Sequence, residues 1–204
     1  MFGFVSLAYN AAQLIGWSAI LGLVILELVN GTEKTGQIVW LVQVMQISQT
    51  YDLISNIVGL TSGSLISNIL QLGGRLVVAL LFMYEGVCFC CLINAVIAWS
   101  LAEIIRFSYY LFKNNSLFKT LRYNAFMVLY PIGILGELRT VNQSLAVYGD
   151  IQIRGLQTIL ILGGFFMYAQ MLNAKSKHTK QTAVDQKQNV KQRSNSPVNR
   201  PKRE

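Results

Sequence analysis

Histidine occurs once in this chain of 204 residues, at His178, and acidic residues number nine. Cysteine is limited to Cys88, Cys90 and Cys91, all within one apolar run. That spacing matches neither a zinc site nor a disulfide framework, so these three read as small buried residues. No glycine-rich loop of the kind that cradles a nucleotide phosphate is present. A metal and a cofactor are therefore not expected. Proline is scarce as well: Pro197 and Pro201 lie near the C-terminal end, and Pro131 alone interrupts the apolar body.

Hydrophobic residues, in contrast, make up 53% of the chain and charged residues only 13%. Mean hydropathy is +0.44, and apolar runs near twenty residues recur, which is the composition of a polytopic membrane protein. Charge is segregated. Residues 174–204 hold nine Lys/Arg against two acids, net +7; the preceding 173 residues hold eight against seven, net +1. The basic balance belongs to the tail, so it gives no reason to expect nucleic-acid binding.

Six apolar segments follow one another at about 11–29, 38–60, 65–84, 87–111, 121–141 and 155–172. The expected fold is all-α, a six-transmembrane-helix bundle over 1–173 followed by a disordered basic tail, 174–204, too poor in apolar residues to build a core. No Lys or Arg precedes the first segment and no small-x-small cleavage site follows it, so an uncleaved first span is expected. The second segment is the weakest, because it carries Gln43, Gln46, Gln49, Tyr51 and Asp52. Such groups face a bundle interior and bond to neighbouring helices. Arg75 in the third span needs a partner, with Asp52, Glu85 or a substrate phosphate as candidates. In the fourth, Trp99, Glu103, Arg106 and Tyr110 fall within about 60° on a helical wheel. Glu103 and Arg106 are three apart and can pair; Arg106 reads either as half of that ion pair or as a substrate contact. The Lys/Arg excess in the tail and around 113–122 puts both chain ends in the cytosol by the positive-inside rule. The chain closes on Arg200-Pro201-Lys202-Arg203-Glu204, a partial match to a dilysine retrieval signal; attraction of the basic tail to anionic lipid is the simpler reading.

The fifth span carries the chemistry. It contains Tyr130-Pro131-Ile132-Gly133-Ile134-Leu135-Gly136-Glu137. An ionisable residue at membrane depth is costly, which makes Glu137 a functional candidate. Tyr130, seven positions earlier, falls on nearly the same helix face, roughly 10 Å along the axis. Pro131 lacks a backbone donor and crowds the carbonyl four residues back, so a bend is expected there. Gly133 lies between the two on that face with no side chain to block a ligand, and Phe126 and Tyr123 extend it backwards.

Leu121-Arg122-Tyr123, Val128-Leu129-Tyr130-Pro131-x-Gly133 and Glu137 together resemble the very-long-chain (3R)-3-hydroxyacyl-CoA dehydratase family, also called PTPLA-like or protein-tyrosine-phosphatase-like. Further likeness lies in Tyr9-Asn10-x-x-Gln13-x-x-Gly16-Trp17, in Gln71 to Arg75, and in Ala98-Trp99-Ser100-x-x-Glu103-x-Ile105-Arg106. The resemblance covers roughly 9–172. It implies a lyase of fatty-acid elongation in the endoplasmic reticulum membrane, with Tyr130 and Glu137 as the catalytic pair. Phosphatase chemistry is rejected despite the family name, since none of the three cysteines is followed by an arginine six positions on.

The implied substrate is a very-long-chain 3-hydroxyacyl-CoA and the implied product a trans-2-enoyl-CoA. Loss of water across C2–C3 needs one group to take the C2 proton and one to protonate the departing C3 hydroxyl. Glu137 as base and Tyr130 as donor is one division; the reverse, or Glu137 performing both transfers, stays open. Lys113, Lys119 and Arg122, at the cytosolic mouth, either attract the CoA phosphates or only set topology. Arg122, Tyr123, Gly133, Arg106 and Lys119 are the candidate substrate-binding residues. Expected partners are the bilayer and the other elongation enzymes, namely the condensing enzyme, the ketoacyl reductase and the enoyl reductase. The competing reading is a catalytically weak family member that scaffolds those enzymes.

Overall fold

The computed structural model describes residues 2–31, 35–60, 64–84, 88–112, 115–145 and 149–195. Its elements are all helical: α1 (Phe2–Asn30), α2 (Thr35–Ser48), α3 (Thr50–Ile57), α4 (Leu65–Val77), a π-helical turn (Val78–Phe82), α5 (Phe89–Leu111), α6 (Ser116–Asn124), α7 (Phe126–Asn142) and α8 (Asp150–Asn195). Among the described residues, four stretches are long and apolar enough to cross a membrane: Phe4–Asn30, Leu65–Phe82, Phe89–Leu111 and Asp150–Asn173.

The two remaining apolar segments are helical but divided. The second breaks at Gln49 into α2 and α3. The fifth breaks at Ala125, where α6 ends and α7 begins. With Pro131 inside it, α7 has 17 residues, about 26 Å of helix against a hydrocarbon core of about 30 Å.

The chain separates into two compact units, Met1–Tyr168 and Ala169–Glu204. Residues 174–195, expected to lack structure, continue α8 as helix. No glycine or proline occurs between 173 and 196, and Lys, Gln, Ala and Arg are good helix formers. Extending an existing helix also avoids the cost of nucleation. The segment 200–204 lies outside the described residues.

In the first unit α5 is the central element, packed most extensively against α7 and α1. The contact face of α1 is a stripe of Gln13, Trp17, Ile20, Val24 and Glu27, all buried; steps of three and four residues put them on one side. Trp17, Leu92, Val96, Trp99 and Phe107 anchor the core with Val78 and Phe82 of the π turn. The large apolar side chains left exposed, among them Ile15, Ile25, Trp40, Leu135 and Phe165, suit a lipid surround.

Where lipid replaces water, apolar burial between helices gains little, and polar stitches and close approach carry the association. In the second segment Gln43 does this, whereas Gln46, expected to do the same, has both side-chain polar atoms buried without a hydrogen-bond partner among the described residues, as has Gln49 Nε2. Gln43 Nε2 donates to the carbonyls of Ala79 (3.0 Å) and Met83 (2.9 Å), at the π turn. Gln13 Nε2 donates to Ser48 Oγ at 2.7 Å, joining α1 to α2, while its Oε1 accepts from Trp17 Nε1 at 3.1 Å within α1. Gly31 (φ 59°) ends α1 in the left-handed region, its N–H donating to Glu27 O at 2.9 Å, a helix stop that glycine makes without steric cost.

The cysteines differ from expectation. Cys88 and Cys90 form a disulfide at the start of α5, and Cys91 is free and half-buried. Cys88 precedes the helix and Cys90 lies in its first turn, so the chain direction changes between them and brings the two side chains together. A reading of the run as uniform helix has no access to that turn.

Candidate active site

Two antiparallel helices frame the site. Going down α7 and up α5, Gln143 meets Cys88, Thr140 meets Cys91, Gly136 meets Ala95, and Gly133 meets Ala98 and Trp99. The closest approach is at Gly136: a Cβ there would sit 2.7 Å from Ala95 Cα and 2.9 Å from its Cβ. Thr140 Oγ1 donates back to Gly136 O at 2.9 Å, so its polar group is satisfied within α7. Gly136 and Thr140, four residues apart, make the small-residue seam that lets two membrane helices touch.

This register fixes Glu137 beside Trp99. The indole Nε1–H donates to Glu137 Oε1 at 2.9 Å. Trp99 is 1% exposed, and a buried indole donor requires an acceptor. The Arg75 guanidinium stands over the same indole, 5.5 Å from the ring centroid, within cation–π range. Tyr130, one face with Glu137 on α7, stacks on Tyr168 of α8 with centroids 6.1 Å apart and planes at 21°. Phe126 meets the same Tyr168 ring edge-on at 6.0 Å. The phenol, the carboxyl and the Arg75 guanidinium all lie within electrostatic reach of one another.

Arg75 is held by an ion network. It pairs with Glu103, and both are buried. Glu103 Oε2 faces Arg106 Nε at 2.9 Å, off hydrogen-bond alignment, so that contact is Coulombic. Arg106 Nη2 donates to Asp52 Oδ2 at 2.6 Å. Asp52, Arg106, Glu103 and Arg75 therefore alternate in sign across α3, α5 and α4, lining a polar recess with Gln49, Asn68 and Gln71. The i,i+3 pair legible in the sequence is present. Arg75 takes Glu103 rather than Asp52, and its other candidate, Glu85, lies outside the described residues.

The candidate substrate contacts divide accordingly. Arg106 is committed to Asp52 and Glu103 and stacks 4.6 Å over Phe107. Gly133 is buried against α5, with the Trp99 indole occupying the space beside it. Arg122, on α6, lies over Tyr109 and Tyr110 at 4.6 and 4.9 Å. Its Nη1 is buried without a hydrogen-bond partner. Lys119, one turn back, is exposed. The side chain of Tyr123 and all of Lys113 lie outside the described residues. Missing from the candidates were Tyr168, which a sequence gives no means of aligning with Tyr130, and Trp99 as the partner of Glu137. The signal for Trp99 was present in its shared face with Glu103 and Arg106.

A family model described as "Protein tyrosine phosphatase-like protein, PTPLA" matches residues 46–181, which include the ion network, Trp99, Tyr130 and Glu137. The chain belongs to this family. Among curated relatives of this PTPLA member, a very-long-chain (3R)-3-hydroxyacyl-CoA dehydratase of Caenorhabditis elegans is 33% identical over 164 residues, 74% of each chain. A probable very-long-chain (3R)-3-hydroxyacyl-CoA dehydratase of Schizosaccharomyces pombe is 32% identical over 170 residues, 74% of this chain and 78% of the relative. The Arabidopsis thaliana dehydratase PASTICCINO 2 is 30% identical over 176 residues, 80% of both. No solved structure matches the chain.

Proposed function

We propose that this chain dehydrates very-long-chain (3R)-3-hydroxyacyl-CoA to trans-2-enoyl-CoA, with Tyr130 and Glu137 as the reacting pair. The observation that carries the reading is a half-buried phenol and a half-buried carboxyl on a single face of α7, within electrostatic reach of each other and of Arg75, in a chain whose relatives bear that activity in their names.

The Glu137 carboxylate takes the C2 proton, which the thioester acidifies. The electrons of that C–H bond become the C2–C3 double bond. The C3–O bond breaks, and the departing hydroxyl takes the Tyr130 proton and leaves as water. The Glu137 proton returns to the phenolate and resets the pair. Arg75, fixed by Glu103, favours negative charge as it passes between oxygens. None of these steps calls for a redox or group-transfer cofactor.

Arg122 and Lys119 lie three residues apart on α6 and so share a face; they receive the CoA phosphates at the mouth, while the acyl chain runs into the bundle or lipid. The unpartnered Arg122 Nη1 supports a donor reserved for an anion. The helical segments act as six spans, with α2–α3 and α6–α7 as the two divided ones. Both chain ends face the cytosol, and the membrane is that of the endoplasmic reticulum, where the other elongation enzymes are the working partners.

The test is turnover of a long-chain (3R)-3-hydroxyacyl-CoA by the full chain in detergent or liposomes, following the conjugated enoyl thioester. Wild type beside Tyr130→Phe and Glu137→Gln is expected to show activity that each variant loses by at least about 100-fold, in the range for removing a positioned acid or base. Turnover unaffected by either change sinks the assignment of the pair. No turnover by a folded wild type at any chain length sinks the activity.

A further inference from the structure

We infer that Trp99 is the positioning residue for Glu137: its indole N–H holds one carboxylate oxygen so that the other faces the substrate. The inference rests on the proposed catalytic role of Glu137 and deepens it.

Several observations converge. The hydrogen bond takes Oε1 alone, and Oε2 has no hydrogen bond among the described residues. A carboxylate needs one oxygen free to accept a proton, and a second one tethered removes rotation about its terminal bond. Trp99 itself cannot turn away, since its ring is buried in the core cluster and backed by Arg75 at 5.5 Å. Arg75 is fixed in turn by Glu103. The donor edge of the indole lies alongside Gly133: a Cβ there would be in ordinary contact, 3.9 Å from Trp99 Cδ1 and 4.0 Å from Nε1. Gly133 and Glu137 are one turn apart on α7, which sets the indole edge along the first and its N–H on the second. The whole arrangement hangs on helices drawn together at Gly136 and Ala95, and rigid elements hold such geometry better than loops.

The function this gives Trp99 differs from that of an acid or base. No proton is transferred to or from the indole, and the substrate need not touch it. Its loss should slow the chemical step and leave substrate binding nearly unchanged.

The experiment compares wild type, Trp99→Phe, Glu137→Gln and the double variant for kcat and KM, beside a separate readout of the hydrogen bond. For the latter, the chain is labelled with indole-15N tryptophan; it contains three tryptophans, and the Trp99 resonance is the one that Trp99→Phe removes. Expected results are a fall of about tenfold in kcat for Trp99→Phe with KM within about twofold, no additional loss in the double variant relative to Glu137→Gln, and an upfield move of the Trp99 N–H signal in Glu137→Ala. If Trp99→Phe does not accumulate folded, benzothienylalanine at 99 keeps the bicyclic shape and removes only the donor. A kcat within twofold of wild type for either replacement, while Glu137→Gln is inactive, overturns the positioning role and leaves the catalytic one. An active Glu137→Gln overturns the catalytic reading, and the positioning role with it. A Trp99 signal indifferent to Glu137→Ala overturns the hydrogen bond itself.

Discussion

Gly136 of α7 meets Ala95 of α5 backbone against backbone, with no room for a Cβ between them. Three positions earlier, the same helix passes Ala98 with space for one: a Cβ at Gly133 would sit 3.6 Å from the Ala98 Cβ. The two glycines of one motif thus differ in kind.

Gly136→Ala is therefore expected to destabilise the protein by roughly 1–3 kcal/mol, the usual cost of overpacking, or to separate α7 from α5. Gly133→Ala should unfold at the temperature of wild type. Thermal unfolding of both in the same detergent checks this. A Gly136→Ala melting temperature at or above that of Gly133→Ala refutes the seam.

Glu103 serves two arginines while being 1% exposed. Glu103→Gln leaves Arg75 and Arg106 short of a counter-charge inside the bundle, and removing one partner from a buried pair costs roughly 3–5 kcal/mol. Asp52 is at the rim, with 30% of its side chain exposed, and Asp52→Asn should cost no more than about 1 kcal/mol. Denaturation of the two variants orders them; equal losses would mean that the network is not centred on Glu103.

Arg122 is expected to act on binding alone. Arg122→Gln should raise KM for a CoA thioester about tenfold with kcat within about twofold, the loss of one charge-assisted contact. For the corresponding pantetheine thioester, which lacks the nucleotide phosphates, wild type and variant should have equal kcat/KM. A matching loss on both substrates would assign Arg122 to holding Tyr109 and Tyr110 instead.

The thiols offer a check by mass. Alkylation of the unreduced, denatured chain should modify Cys91 only, and reduction should expose Cys88 and Cys90 as well. Three modified thiols without reduction would exclude the disulfide.

What periodicity and energetic cost encode is legible along the chain. The six apolar segments are all helical, and Glu137, flagged because a carboxyl at membrane depth is expensive, sits in a packed helix pair. Glu103 with Arg106 followed from spacing along a single helix. What was not legible depends on relations between helices. Whether Arg75 meets Asp52 or Glu103, whether Trp99 donates to Glu137, and whether Tyr168 stacks on Tyr130 are all set by register between elements, on which one sequence carries no signal. The helical continuation of 174–195 was missed for a different reason: composition reports the absence of a core, and a helix attached to an existing one does not need a core to form.

The π turn at Val78–Phe82 has the geometry of a helix carrying one residue more than its neighbours require. Arg75 precedes it and Met83 follows it, so the extra residue fixes the azimuth of one end of the element relative to the other. Shortening the turn by one residue would rewind it to ordinary helix and swing Arg75 through about 100° relative to the residues after it. The arginine would then leave Glu103 and the indole face of Trp99. The Gln43 amide, by holding the carbonyls of Ala79 and Met83, acts as a latch on that phase, so a side chain on α2 that touches none of the reacting groups determines which way the third span points its one cation.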